Sequence, residues 1–205
     1  MKDLVVLVAD LDTKSAISGL FTRFHALKTR SFTFDIFSHI HRDPGCLRGA
    51  VEFLRGFTKQ YRNALVVFDY EGSGGESETP ATLRNELTAR LANSGWDQRA
   101  ATIIIVPELE IWVWSDSPQV DAVLGWSGQT PSLREWLSDK KWLQPDMVRP
   151  AKPKEAMHAA LRAVKKNPSA ARFQQLGRSV GFQQCTDPMF QELLRLLRSW
   201  FPPLP

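Results

Sequence analysis

Four short apolar runs, Leu4 to Ala9, Phe32 to Ile40, Ala64 to Phe68 and Ala101 to Val106, alternate with stretches of helical period. No other feature constrains the fold as much. The runs are rich in Val, Ile and Phe and lack clean polar alternation, as strands do when helices cover both faces of a parallel sheet. Between them, Ile17, Leu20, Phe21, Phe24 and Leu27 keep helix spacing after a cap-like Asp12-Thr13, and Leu47, Val51, Leu54, Phe57 and Tyr61 do so in the second gap. A third stripe, Leu83, Leu87 and Leu91, follows Thr79-Pro80, with Asn93 to Gly95 as its stop. Parallel strands need crossovers of this length. The pattern therefore predicts an α/β fold, a Rossmann-like three-layer core on a four-stranded, mainly parallel sheet.

After the fourth run the texture changes, with five of the seven tryptophans between Trp112 and Trp142 and prolines at 107, 118, 131, 145, 150 and 153. No further strand is expected. A helix is predicted over 153–166, with Met157, Ala160, Leu161 and Val164 on one stripe and Lys154, His158, Arg162 and Lys165 on the other. A last one carries Phe190, Leu193, Leu194, Leu197 and Phe201 after an Asp187 cap and Pro188. The expected organisation is a core over 1–117 and a helical extension over 118–205 packed on it.

Charge divides along the same boundary. Residues 1–117 carry 13 Lys/Arg against 15 Asp/Glu and the rest 13 against 7, so −2 and +6 make up the net +4. Arg149 to Arg178 holds eight basic residues and one acid, Glu155. An acidic front beside a basic rear suits a carboxylate metal site next to a phosphate-binding surface, although a solvated basic face gives the same count. Cys46 and Cys185 form no CxxC or Cys/His cluster, so neither a disulfide framework nor a zinc site is indicated. No apolar run approaches the roughly 20 residues that cross a bilayer. The N-terminus also lacks the pattern of a secretory signal. The expected compartment is the cytoplasm.

Ligands of open parallel sheets bind outside the carboxyl ends of the strands, and acids gather at those ends here. The first run leads into Asp10 and Asp12, the third into Asp69 and Glu71, and the fourth into Glu108 and Glu110, with Asp116 soon after. Strands lie about 4.8 Å apart, so such acids can converge on one hard cation. Asp12 reads as a helix N-cap. Asp69 and Glu71 precede the adaptable Gly72-Ser73-Gly74-Gly75, which matches neither a P-loop nor GxGxxG. The second run ends in His39-Ile40-His41-Arg42-Asp43, followed by a Pro-Gly turn, where His41 and Arg42 are placed to meet a phosphate. Trp112 and Trp114 read as packing residues. No sequence pattern singles out a nucleophilic Ser or Cys.

Three segments carry a family likeness: Val66 to Gly72, Val106 to Asp116, and Pro153 to Ala156, with Cys185 to Pro188 and Phe190 agreeing. They resemble TOPRIM-related proteins of bacterial phage-defence loci, including small TOPRIM-like subunits of methylation-associated defence operons. The resemblance implies a TOPRIM-like fold, other defence-system subunits as partners and, for active members, Mg²⁺-dependent (or Mn²⁺-dependent) phosphodiester hydrolysis on nucleic acid, DNA first. It puts Asp69 and Glu71 at the DxD-like position and Glu110, Trp112 and Asp116 in the Glu/Trp/Asp segment. Where the family has Glu-Gly after the first strand, this chain has Ala9-Asp10-Leu11-Asp12.

The expected machinery is then Asp10, Asp69, Glu71 and Glu110 as catalytic and metal-binding acids, with Asp116 as a further ligand. Lys154, Arg162, Lys165, Arg42 and His41 would hold the nucleic-acid backbone. The altered first motif motivates an alternative, a catalytically degenerate subunit that recruits DNA or partner proteins. A receiver-like regulator, phosphorylated on Asp69, is the third reading.

Overall fold

The computed structural model describes residues 1–115, 117–182 and 185–203. Four strands, β1 (Lys2–Val8), β2 (Phe34–Ser38), β3 (Tyr61–Asp69) and β4 (Ala100–Ile105), form one sheet in the order β2-β1-β3-β4, every pair parallel. The expected α/β, Rossmann-like core is present. Side chains alternate between the faces. Leu4, Val6, Val8, Leu65, Val67, Ile103 and Ile105 enter one core cluster, while Val5, Leu7, Val66, Phe68 and Ile104 enter the other.

Helices α1 (Leu11–Phe21), a short α2 (Phe24–Leu27), α3 (Arg42–Arg55) and α4 (Pro80–Leu91) belong to the front of the chain. Behind it come α5 (Pro118–Leu124), α6 (Leu133–Asp139), α7 (Pro153–Ala163), α8 (Ala170–Ser179) and α9 (Pro188–Trp200). Cys46, Leu47, Ala50 and Leu54 of α3 and Leu83, Leu87 and Leu91 of α4 cover one face. Ile17, Leu20 and Phe21 of α1 and Leu193, Leu194 and Leu197 of α9 cover the other, in a core that also takes Phe173 of α8 and Met157 of α7. Residues on both sides of position 117 thus share one interior. Tryptophans join it: the Trp114 indole N–H donates to the Pro153 carbonyl at 3.0 Å, and that of Trp126 to Ala160 at 3.2 Å.

Local signals set most element starts. The Thr79 side chain caps α4 ahead of Pro80, and Asp187 Oδ1 accepts from Met189 and Phe190 N–H at 3.1 and 2.9 Å at the start of α9. Four expectations need correction. The N-cap of α1 is Asp10, whose Oδ1 accepts the Thr13 N–H at 2.9 Å, and Asp12 lies in the first turn. The Arg42 to Gly45 segment is the first turn of α3; Pro44 is tolerated there because first-turn N–H groups have no intrahelical partner. Tyr61 accordingly opens β3 instead of closing that helix. Finally, α7 ends at Ala163, and Lys165 lies beyond it at φ 55. Among the described residues, no helix is long and apolar enough to cross a membrane.

Candidate functional site

In the order β2-β1-β3-β4 the connection from β1 runs outward to β2 and that from β3 outward to β4, in opposite directions, so the carboxyl ends of β1 and β3 flank a crevice. Val8 pairs with Val67 in register. Asp10 and Asp69 each follow by two residues and therefore sit at one level of the edge. Asp43, at the second position of α3, closes the group through its Oδ1, which accepts the Asp69 backbone N–H at 2.9 Å. From the β4 side, the 3-10 turn Leu109–Trp112 contributes Glu110, only 5% exposed.

These carboxyls disturb one another. Burial first, and then the charge of Asp43, push the Asp69 carboxyl well above its ordinary range, with Glu110 and Asp10 adding to the effect. A hydrogen bond from the Leu109 backbone offsets it in part. Asp69 Oδ1 is enclosed and has no hydrogen-bond partner. Burial likewise pushes Glu110 up to about 7 against the pull of Lys154. Asp12 is raised by burial and by Asp10, and Asp43 by burial against hydrogen bonds from backbone N–H groups. Desolvation and like charges both disfavour ionisation, so protons or a cation are favoured here.

Lys154 is the countercharge. Its backbone N–H donates to Glu108 Oε1 at 3.1 Å and its ammonium lies 3.3 Å from Glu108 Oε2. Burial works to lower the ammonium, but Glu110, then Glu108 and Asp69, outweigh it and raise it. Lys154, although itself exposed, therefore faces the acids, apart from Arg162. The expected basic stripe of α7 is split. We expect Lys154→Gln to raise the Glu110 midpoint above about 7 in metal-free protein, read by carboxyl ¹³C NMR titration. An unchanged midpoint would mean that the ammonium does not act on Glu110.

The remaining candidates are more dispersed. Glu71 is exposed on the turn after β3, where its backbone N–H donates to Pro107, and Asp43 occupies the place beside Asp69 expected for it. Asp116 lies outside the described residues. His41 and Arg42 are exposed at the start of α3, Arg42 at φ 49, and Arg42 is near enough to Asp12 to favour its ionised form. His39 Nδ1 accepts the His41 backbone N–H at 3.1 Å, and its ring lies on Gly45 and Gly49, where any Cβ would collide with it. Arg162 and Lys165 are exposed on the flank.

The oxygen donors have the hardness that Mg²⁺ prefers, and that ion needs only one or two carboxylates besides water and phosphate oxygens. Among the described residues, no group of three or more His, Cys, Asp or Glu side chains is spaced to hold a metal ion. The donor chemistry and the unmet Asp69 oxygen fit a partly hydrated cation rather than a closed protein cage.

No family model, curated protein or solved structure matches the chain. Function therefore has to be argued from the edge itself.

Proposed function

We propose that the acidic edge binds Mg²⁺ or Mn²⁺ and that the protein hydrolyses phosphodiester bonds of nucleic acid, DNA first. The observation carrying this reading is the enclosed, unpartnered Asp69 Oδ1 among Asp10, Asp43 and Glu110, a surplus of negative charge at the sheet's switch point. Asp10 and Asp69 would hold the ion from adjacent strands. When bound, it would supply charge neutralisation at the phosphate and an acidified water. Glu110, titrating at about 7, is suited to accept or return a proton near neutral pH. Lys154 would orient a phosphate oxygen, and His41, Arg42, Arg162 and Lys165 would meet the backbone without reading sequence. The likeness to TOPRIM-related phage-defence subunits extends the proposal to a cytoplasmic antiphage complex.

A second reading is a catalytically degenerate subunit that binds DNA or partner proteins. It is favoured by the lack of three ligands at metal spacing among the described residues and by Asp10 spending one oxygen on the α1 cap. Calorimetric titration of Mg²⁺ and Mn²⁺ into wild type, Asp69→Asn and Glu71→Ala separates the two. Binding by wild type and Glu71→Ala, lost in Asp69→Asn, supports the metal site and leads to cleavage assays on labelled DNA and RNA. No binding by folded wild type would sink the metal reading and leave the degenerate one.

A further inference from the structure

Two cavities whose walls include none of the strand-end acids share Arg23, Ser115, Gly181, Phe182 and Cys185 and together form a two-part cleft. One part, of about 70 Å³, is an apolar chamber lined by Ile17, Leu20, Phe173, Leu176 and Phe190. The other, of about 340 Å³, is a vestibule that adds Trp114, Ser117, Arg149 and Thr186.

Two polar groups stand together on the shared wall. Ser115 Oγ is enclosed and has no hydrogen-bond partner. Arg23 is partly buried, with Nη1 donating to the carbonyls of Gly177 and Val180 at 3.1 and 2.7 Å and its guanidinium 4.8 Å from the Phe182 ring centre. Among the described residues it has no carboxylate partner. Buried hydroxyls are ordinarily bonded, so the Ser115 hydroxyl points to a missing partner, and the Arg23 guanidinium on the same wall favours an anionic one. Arg149 adds positive charge held only loosely, 3.5 Å from both Asp187 Oδ2 and Cys185 Sγ. Asp187 is already occupied, its Oδ1 accepting from the Trp112 indole at 2.9 Å and from the α9 backbone. The Cys185 thiol is pushed up by burial, which disfavours its thiolate.

We propose that this cleft binds a small organic anion, its carboxylate or phosphate head at Arg23 and Ser115 and a short alkyl tail in the chamber. A few convergent polar groups on an otherwise apolar, concave surface are the usual make-up of such a site. The inference is independent of the metal reading, because it uses none of the strand-end acids.

The test is calorimetric titration of octanoate, octyl phosphate and octanol into the full chain. At least one anion should bind, and octanol at least tenfold more weakly. Octanoate alone would assign a carboxylate head, octyl phosphate alone a phosphate head. Arg23→Gln should weaken the anion at least tenfold while leaving octanol unchanged, and Ser115→Ala should weaken it several-fold. Because Arg23 also holds carbonyls at the end of α8, Gly181→Leu provides a second variant. A Cβ at Gly181 meets nothing within 4 Å, so a leucine is accommodated there, and a large side chain added to the shared wall should narrow the cleft and weaken binding. The proposal fails if neither anion binds folded wild type, if octanol binds as tightly, or if Gly181→Leu binds like wild type.

Discussion

Glu110→Gln is expected to stabilise the metal-free fold by about 3 kcal/mol at pH 8 and to change it little at pH 4. The magnitude follows from a carboxyl raised from 4.5 to about 7, at about 1.4 kcal/mol for each unit. The sign is opposite to that of a salt-bridged acid. Below 4.5 the group is neutral in folded and unfolded chains and costs nothing. As pH rises from there, the unfolded chain releases its proton while the folded one retains it, so stability falls until about 7 and then levels off. Asp69, raised well above its ordinary range, acts in the same direction. Urea denaturation at stepped pH with a chelator present would read the difference. A pH-independent gap between variant and wild type would refute the buried-acid description. Restoring Mg²⁺ should stabilise wild type at pH 8, because a ligand bound only by the folded state adds to its stability.

The second large effect lies at the crossing of α1 and α8. Gly19 and Gly177 face the opposite backbone: a Cβ on Gly19 would run into the Gln174 carbonyl, and one on Gly177 into that of Ala16. Either Gly→Ala change should therefore destabilise the protein by about 1–3 kcal/mol through forced separation of the helices. This occurs even though alanine gains about 1 kcal/mol over glycine in a helix interior. Gly56, at φ −67 with nothing near its missing Cβ, is the control. Its alanine variant should be neutral or stabilising by about 0.4–1 kcal/mol. Denaturation midpoints that rise for Gly19→Ala and Gly177→Ala as for Gly56→Ala would show that the two backbones do not touch.

The same crossing shows where sequence reading stops. Neither Gly19 nor Gly177 stands out in the chain, because what requires each glycine is a carbonyl more than 150 residues away. The acidic edge is a mixed case. Asp10, Asp69 and Glu110 were legible from the rule that ligands sit beyond strand ends. Asp43 and Glu108 follow β2 and β4 in the same way, and that rule was the signal that could have promoted them. Asp43 was hidden by the Pro-Gly pair after it, which reads as a turn until a helix is seen to start at Arg42. Lys154 was legible as a cation but not by direction, since its spacing with Arg162 said nothing of the Glu108 carboxylate beneath it.

The amino-acid order was enough to establish strands buried on both faces, their parallel pairing through helical crossovers, the helix start at Pro80 and the cap at Asp187. Each depends on periodicity, crossover length or a hydrogen bond spanning a few residues. Folding in three dimensions settled the order β2-β1-β3-β4, the meeting of Asp43 with Asp69 and the pairing of Lys154 with Glu108. It also left the Ser115 hydroxyl without a partner among the described residues. Those outcomes depend on strand register and on how distant segments exclude water together, and such long-range desolvation leaves no periodic trace along the chain.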